Sequence, residues 1–317
     1  MRTEILVTGG GGLLGYALKK LLPNAVFVTR EDYDLTELSE AKRLFESFRP
    51  KRVIHLAAQV AGVQGNAMNN ADLFTANVQI NTNVLSMAHW HGVSRLISIL
   101  SSCAFQCYPD RPSSEDDLHV GLPFGGNLGY GYAKRMLDVQ TRLFWEQYGC
   151  KYSSITPVTM YGPNDNWDLE KAHVIGALIH RTYLTKQRNE PLEVWGNGNA
   201  VRQFICSYDV AQVLVRELDS FTDAETMIVA PETGIAIRDL TRLIAETMKF
   251  EGHIVFNPNK PDGQPFKMLK SRKFSHRFSD FTFTSLKEGL RLTAEWFCEH
   301  CKDEAALVGG RAARTLD

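Results

Sequence analysis

Short apolar runs alternate with amphipathic stretches through the first half of the chain. Ile5-Leu6-Val7, Ala25-Val26-Phe27-Val28, Arg52-Val53-Ile54-His55-Leu56 and Leu96-Ile97-Ser98-Ile99-Leu100 are too short for helices. They are rich in β-branched residues, the composition of buried parallel strands. Between them, Leu13 to Leu22, Glu37 to Phe48 and Asn69 to His91 repeat apolar residues at helical spacing. Strands alternating with helices predict right-handed βαβ units, and so an α/β fold on a doubly wound parallel sheet. A further helix is expected over Tyr130 to Gln147 and a core strand over Tyr152 to Thr156. After Tyr161-Gly162-Pro163-Asn164-Asp165-Asn166 the pattern loosens, which predicts a smaller C-terminal α/β domain. The expected division is a first domain over 1–163, a second over 164–304 and a loose tail of small and charged residues over 305–317. The runs at Phe204-Ile205 and Met227-Ile228-Val229 are candidates to return to the main sheet.

Composition narrows the function. The 317 residues are 44% hydrophobic and 22% charged, with a net charge of -1, enough apolar mass for a large core. That balance gives no electrostatic footprint for nucleic acid or an anionic membrane, so any basic cluster is local and faces a small anion. No apolar run approaches the roughly 20 residues of a membrane helix, and Met1-Arg2-Thr3-Glu4 enters a strand with no room for a signal peptide. Cys103, Cys107, Cys150, Cys206, Cys298 and Cys301 lack framework spacing and are expected as thiols in a reducing, cytoplasmic compartment. Cys298-x-x-Cys301 has no second pair and reads as part of a helix rather than a metal site, and no metal is expected elsewhere.

The first predicted strand runs into Gly9-Gly10-Gly11-Gly12-Leu13-Leu14-Gly15 and then a helix. The glycines fit either Gly10-x-Gly12-x-x-Gly15 or Gly9-x-x-Gly12-x-x-Gly15. In both readings they allow a tight turn and bring backbone close to a pyrophosphate at a helix N-terminus. The second strand ends at Arg30, where an NAD site carries an acid for the ribose 2′-hydroxyl. A guanidinium suits a 2′-phosphate, which favours NADP(H), with Glu31 and Asp32 as the alternative ribose ligands. Ser101-Ser102-Cys103 follows a core strand, and Tyr130-Gly131-Tyr132-Ala133-Lys134 opens the long helix with Tyr130 and Lys134 on one face. The ammonium is expected to favour the Tyr130 phenolate and Ser101 to donate to the same substrate carbonyl oxygen.

Together these motifs resemble the extended short-chain dehydrogenase/reductases. More narrowly, the chain resembles the GDP-L-fucose synthase family along nearly its whole length. The carrying segments are His55-Leu56-Ala57-Ala58, Leu100-Ser101-Ser102-Cys103, Gly129-Tyr130-Gly131-Tyr132-Ala133-Lys134-Arg135 and Tyr161-Gly162-Pro163-Asn164-Asp165-Asn166. Downstream come His173-Val174-Ile175, Val194-Trp195-Gly196-Asn197-Gly198, Val201-Arg202-Gln203-Phe204 and Lys260-Pro261-Asp262-Gly263. The resemblance implies a Rossmann domain binding NADP(H) through Gly9, Gly12, Leu13, Leu14, Gly15, Arg30, Ala57, Ala58, Lys134 and His173. It implies NADPH-dependent 3,5-epimerisation and 4-keto reduction of GDP-4-keto-6-deoxy-D-mannose. Ser101, Cys103, Tyr130, Lys134 and His173 are then catalytic, with Cys103 and His173 the proton-exchanging pair. Substrate contacts fall to Ser101, Ser102, Thr159, Trp195, Arg202, Asp262 and Lys267, with Arg202 and Lys267 at the GDP pyrophosphate and Trp195 against the nucleotide. It also implies a homodimer through the helices at Asn69–His91 and Tyr130–Gln147, packed as a four-helix bundle. The chain departs from the family pattern in a longer segment after Cys103, which brings Cys107, and in Thr159, which replaces an amide. A related GDP-4-keto-deoxy sugar (a heptose or the colitose precursor) is the alternative substrate, and an inactive NADPH-binding protein the alternative of another class.

Overall fold

The computed structural model describes residues 3–61, 65, 68–260 and 263–301. Six parallel strands form the main sheet: β1 (Ile5–Thr8), β2 (Val26–Val28), β3 (Arg52–His55), β4 (Arg95–Ile99), β5 (Tyr152–Pro157) and β10 (Met227–Val229). Their order across the sheet is β10-β5-β4-β3-β1-β2. All residues of β1, β5 and β10 are buried, as an apolar run covered on both faces requires. The covering helices are α1 (Leu13–Leu21), α2 (Leu38–Phe48), α3 (Asn70–Trp90), α4 (Leu128–Tyr148) and α6 (Ser207–Ser220). The long helices α3 and α4 pack on each other, and α1 packs on α6. The chain leaves β1 toward β2 and from β3 proceeds the other way, so the strand order reverses between β1 and β3. Ligands of open α/β sheets bind beyond the carboxyl ends of the strands at such a reversal.

Shorter strands make the rest: β6 (Thr159–Tyr161), β7 (Leu192–Trp195), β8 (Val201–Arg202), β9 (Phe204–Cys206), β11 (Ile235–Ala236), β12 (Ile254–Asn257) and β13 (Phe266–Lys267). They pair as β12-β7, β6-β9 and β11-β8-β13. With α5 (Val174–Arg188), α7 (Ile237–Thr247), the single turn α8 (Phe274–Arg277) and α9 (Leu286–His300), they accompany a second apolar core around Trp167, Ile179, Leu192 and Phe297. Of the two runs expected as candidates for the main sheet, Met227–Val229 joins it at β5. Phe204–Cys206 instead pairs with β6, because β10 already occupies the free edge of β5. Cys298 and Cys301 lie at the end of α9. The tail expected over 305–317 and the candidate ligand Asp262 lie outside the described residues.

Candidate active site

The glycine turn sits at the reversal between β1 and β3. Gly9 has φ +69°, and a Cβ there would lie 2.7 Å from the Ala57 backbone nitrogen. A Cβ on Gly15 would meet the Gly10 carbonyl oxygen at 2.4 Å, and one on Gly10 would meet Phe27. Gly12 is the N-cap of α1, and a Cβ there would make only an ordinary contact, with Gly9 O at 3.6 Å. Gly9, Gly12 and Gly15 thus carry the turn, the N-cap and the helix–turn contact, while Gly10 is also space-limited and its N–H donates to Val28 O at 2.8 Å. The first turn of α1, with Leu13 and Leu14, carries no acidic side chain, and its leading N–H groups lack helical acceptors by geometry. Beneath Ala57 and Ala58, His55 is hydrogen-bonded to Thr8 Oγ1 (2.8 Å) and Asn81 Oδ1 (3.1 Å). Burial pushes its imidazole down to about 4, which keeps it neutral. Arg30 is 65% exposed and pairs with Asp34 at 3.2 Å. The Asp32 carboxylate is occupied locally, accepting from Thr29 N (2.8 Å) and Thr29 Oγ1 (2.9 Å).

At the end of β4 the chain makes a single 3-10 turn, Ser102–Ala104, capped by Ser101, whose Oγ accepts from Cys103 N at 3.1 Å. Two residues of α4 seat this turn. A Cβ on Gly131 would lie 2.7 Å from the Cys103 carbonyl oxygen, and Arg135 Nε donates to Ala104 O at 2.7 Å. One helical turn of α4 therefore carries Tyr130 into the neighbourhood of Ser101. Lys134 is buried and donates to Ile99 O at 2.8 Å, its Nζ lying 5.7 Å from the Tyr130 ring centre.

The electrostatics correct one expectation. Burial pushes the Tyr130 hydroxyl well above its usual range, the neighbouring Cys103 adds to this, and Ser101 opposes it. Lys134 does not reverse the balance: its own burial brings its ammonium down to about 8, and it is anchored on a backbone carbonyl instead of the phenol. Cys103 goes the other way. Burial alone would raise its thiol, but the Lys267 charge, with hydrogen bonds from Ser101 and Lys267, holds it below the ordinary value. Lys267 Nζ lies 3.2 Å from Cys103 Sγ, and Asn127 Nδ2 lies 3.6 Å from it. His173 is the N-cap of α5, solvent-accessible yet walled by protein. Desolvation lowers its imidazole, and the Lys267 charge pushes in the same direction.

Toward the second core, Thr159 in β6 and Arg202 in β8 are half-buried. Arg202 stands opposite Lys267 in the β8–β13 register and donates to Val201 O at 2.8 Å. Trp195 is 36% exposed, with the Arg181 guanidinium 4.9 Å and Lys260 Nζ 5.6 Å from its ring centre. Ser102, the first residue of the 3-10 turn, is buried. Ser101, Cys103, Tyr130 and Lys267 thus gather at one point, and His173 lies within reach of the same lysine's field. Sequence reasoning missed Asn127, Gly131 and Arg135, because their partners are a thiol or backbone carbonyls far away in the chain. It also placed Lys267 only at a pyrophosphate, where the structure puts its ammonium on the Cys103 thiol.

The profile of the NAD dependent epimerase/dehydratase family matches residues 5–230. The chain is 38% identical to a GDP-L-fucose synthase of Dictyostelium discoideum over 94% of this chain and 96% of that protein. It is 34% identical to a probable GDP-L-fucose synthase of Drosophila melanogaster over 94% of this chain and 98% of that one. Among solved structures, a GDP-L-fucose synthetase of Naegleria fowleri bound to NADP superposes with a TM-score of 0.89 at 32% identity, covering 95% of this chain and 94% of that one. The fold is that of the extended short-chain dehydrogenase/reductases, and the chain belongs to the NAD dependent epimerase/dehydratase family.

Proposed function

We propose that this chain is a GDP-L-fucose synthase, converting GDP-4-keto-6-deoxy-D-mannose to GDP-L-fucose by two inversions and one reduction. The observation that carries the reading is the meeting of a thiol of lowered pKa, Cys103, with the Ser101–Tyr130 pair at one turn. A 4-keto sugar has acidified C–H bonds at C3 and C5. Inverting either centre needs one group to remove a proton and another to return one on the opposite face. Cys103 and His173 take those parts, and Ser101 and Tyr130 donate to the C4 oxygen as enolate charge develops. Tyr130, whose hydroxyl burial keeps protonated, then gives its proton to that oxygen in the reduction.

The glycine turn fits a dinucleotide, since Gly9 admits no Cβ against Ala57 while Gly12 leaves room at the head of α1. In this reading Gly9, Gly12, Leu13, Leu14 and Gly15 hold the pyrophosphate of NADP(H), Arg30 its 2′-phosphate, and Ala57, Ala58, Lys134 and His173 the remainder. When bound, NADPH supplies hydride to C4. The first 163 residues, with the strand at 227–229, form the cofactor side, and the part of the chain after them forms the substrate side, where Arg202 meets the GDP, Trp195 packs on it, and Ser102 and Thr159 border the sugar. The assembly is a homodimer through α3 and α4. Among the described residues no helix is long and apolar enough to cross a membrane, and the free cysteines suit the cytoplasm.

The test is incubation with NADPH and GDP-4-keto-6-deoxymannose, the product's stereochemistry being read by NMR. GDP-L-fucose is the expected product. Reduction without inversion would leave a keto-sugar reductase, and absence of NADPH oxidation would remove the enzymatic reading.

A further inference from the structure

We infer that Lys267 is the positioning residue for proton exchange, its ammonium holding Cys103 as the thiolate that removes the proton beside the sugar's keto carbon. This rests on the proposed reading in which Cys103 and His173 act on C3 and C5.

The contact is built into the fold. Lys267 belongs to β13, whose register against β8 sets it opposite Arg202. The strand is clamped on both sides of it. Cys107 Sγ bonds Phe266 O, Ser113 N donates to Met268 O at 3.0 Å, and Gln203 Oε1 accepts from Leu269 N at 2.7 Å. The extra residues after Cys103 thus tie the catalytic turn to the strand that bears Lys267. From this fixed backbone the ammonium reaches Cys103 Sγ at 3.2 Å. No carboxylate among the described residues pairs with Lys267, so its charge is not spent elsewhere. The other groups facing the thiol are the Ser101 hydroxyl, the Asn127 amide and the Tyr130 phenol, none of them cationic. Lys134 is turned to Ile99 O, and His173 is itself under the Lys267 charge.

The proton balance is simple. The thiolate sulfur takes the proton on carbon, the C–H electron pair moves into a carbon–carbon double bond, and the C4 carbonyl becomes an enolate. His173 enters this step as the imidazolium, taking its proton from solvent against the Lys267 charge. Delivered on the other face, that proton restores the ketone and leaves thiol and neutral imidazole. Proton exchange with solvent returns the pair to thiolate and imidazolium for the second centre. A lysine bound to a pyrophosphate would affect binding; a lysine on the sulfur affects the fraction of thiolate.

The experiment measures alkylation of Cys103 by iodoacetamide against pH, resolved by mass spectrometry of its peptide, in wild type, Lys267→Met and Lys267→Arg. The wild-type midpoint is expected below the roughly 8.5 of a free thiol, about one pH unit or more higher in Lys267→Met, and restored toward wild type in Lys267→Arg. With saturating substrate, deuterium exchange into C3 and C5 is expected to slow about 10²-fold in Lys267→Met and to recover as pH rises. An unmoved midpoint, or a loss confined to KM, overturns the inference. Should Lys267→Met not fold, Lys267→Gln removes the charge while keeping a donor. If wild type exchanges no deuterium, the proposed function fails while the alkylation midpoint still decides the part of Lys267.

Discussion

Ser101 bears on two neighbours at once: its Oγ accepts from Cys103 N at 3.1 Å, and its side chain opposes the rise that burial gives the Tyr130 hydroxyl. In the proposed function epimerisation and reduction share one set of donors but use different proton carriers, so single substitutions should separate them. Tyr130→Phe is expected to abolish NADPH oxidation, because the C4 alkoxide loses its proton source. Deuterium exchange into C3 or C5 should persist, since Ser101 remains to hold the enolate. Cys103→Ser is expected to lose most exchange, by about 10²–10⁴-fold, as a hydroxyl is a far weaker acid than a thiol. Exchange at wild-type rate in both Cys103→Ser and His173→Ala would leave a plain reductase. The cofactor preference also rests on one side chain. Arg30 is 65% exposed and only loosely held by Asp34 at 3.2 Å, so it turns to a 2′-phosphate at little cost. Arg30→Ala is expected to weaken NADPH binding about tenfold and NADH hardly at all, an effect of about 1.4 kcal/mol. Equal losses for both cofactors in a fluorescence titration would remove Arg30 from the site.

Elements place these side chains with differing legibility. The βαβ half was readable because its strands are apolar on both faces and its helices repeat at helical spacing, so Ile5–Thr8, Asn70–Trp90 and Leu128–Tyr148 fall where expected. The small strands were not readable: β8, β11 and β13 are two residues each, and long-range pairing defines them more than any local pattern. For that reason the contact of Lys267 with Cys103 was invisible, whereas Tyr130 and Lys134, on successive turns of one helix, were not. The electrostatic expectation for Tyr130 failed because spacing fixes proximity but says nothing of burial. Burial also governs the turn after β6. Asp165 is 4% exposed, its Oδ1 accepts from Asn166 N at 2.7 Å, and its Oδ2 has no partner among the described residues. Desolvation raises its pKa from 3.8 to about 7, so the folded chain holds a proton that the unfolded chain releases near pH 4. Its contribution therefore favours the fold at low pH and is lost as pH rises from about 4 to about 7, with a slope of up to about 1.4 kcal/mol per unit. Asp165→Asn keeps the acceptor and removes the titration. Urea unfolding at pH 5 and pH 8 should show a smaller stability difference in the variant than in wild type. An identical difference would mean that Asp165 is ionised in the folded chain throughout.

At the scale of the whole molecule, the turn that bears Cys103 rests on a helix that also presents an apolar face to solvent. Leu128, Met136 and Leu143 recur at seven or eight residues along α4 and are 38%, 36% and 53% exposed, and Tyr148 ends the helix at 51%. The neighbouring α3 adds Phe74 at 37% and Trp90 at 69%. The two helices are joined inside the molecule, Gln140 Nε2 donating to Thr82 Oγ1 at 2.6 Å and Gly129 N to Asn70 Oδ1 at 2.8 Å. They therefore offer a ready-made half of a four-helix bundle, and a two-fold copy of the same pair would cover both sets of apolar side chains. A stable interface of this kind buries about 800 Å² per partner, which two helices of 21 residues can supply. Light scattering at micromolar concentration should give twice the mass of the chain. Leu143→Glu sets a carboxylate in the middle of that apolar face and is expected to give monomers, with no loss of helical content by circular dichroism because the side chain is already half-exposed. Tyr130 and the Gly131 seat of Cys103 lie on the same helix as Leu143, between three and four turns away. Loss of the partner should accordingly loosen α4 and lower the rate of NADPH oxidation, without moving the pH midpoint of Cys103 alkylation, which Lys267 sets from another strand. A monomeric wild type at micromolar concentration would overturn the assembly and leave the apolar face of α4 to some other contact.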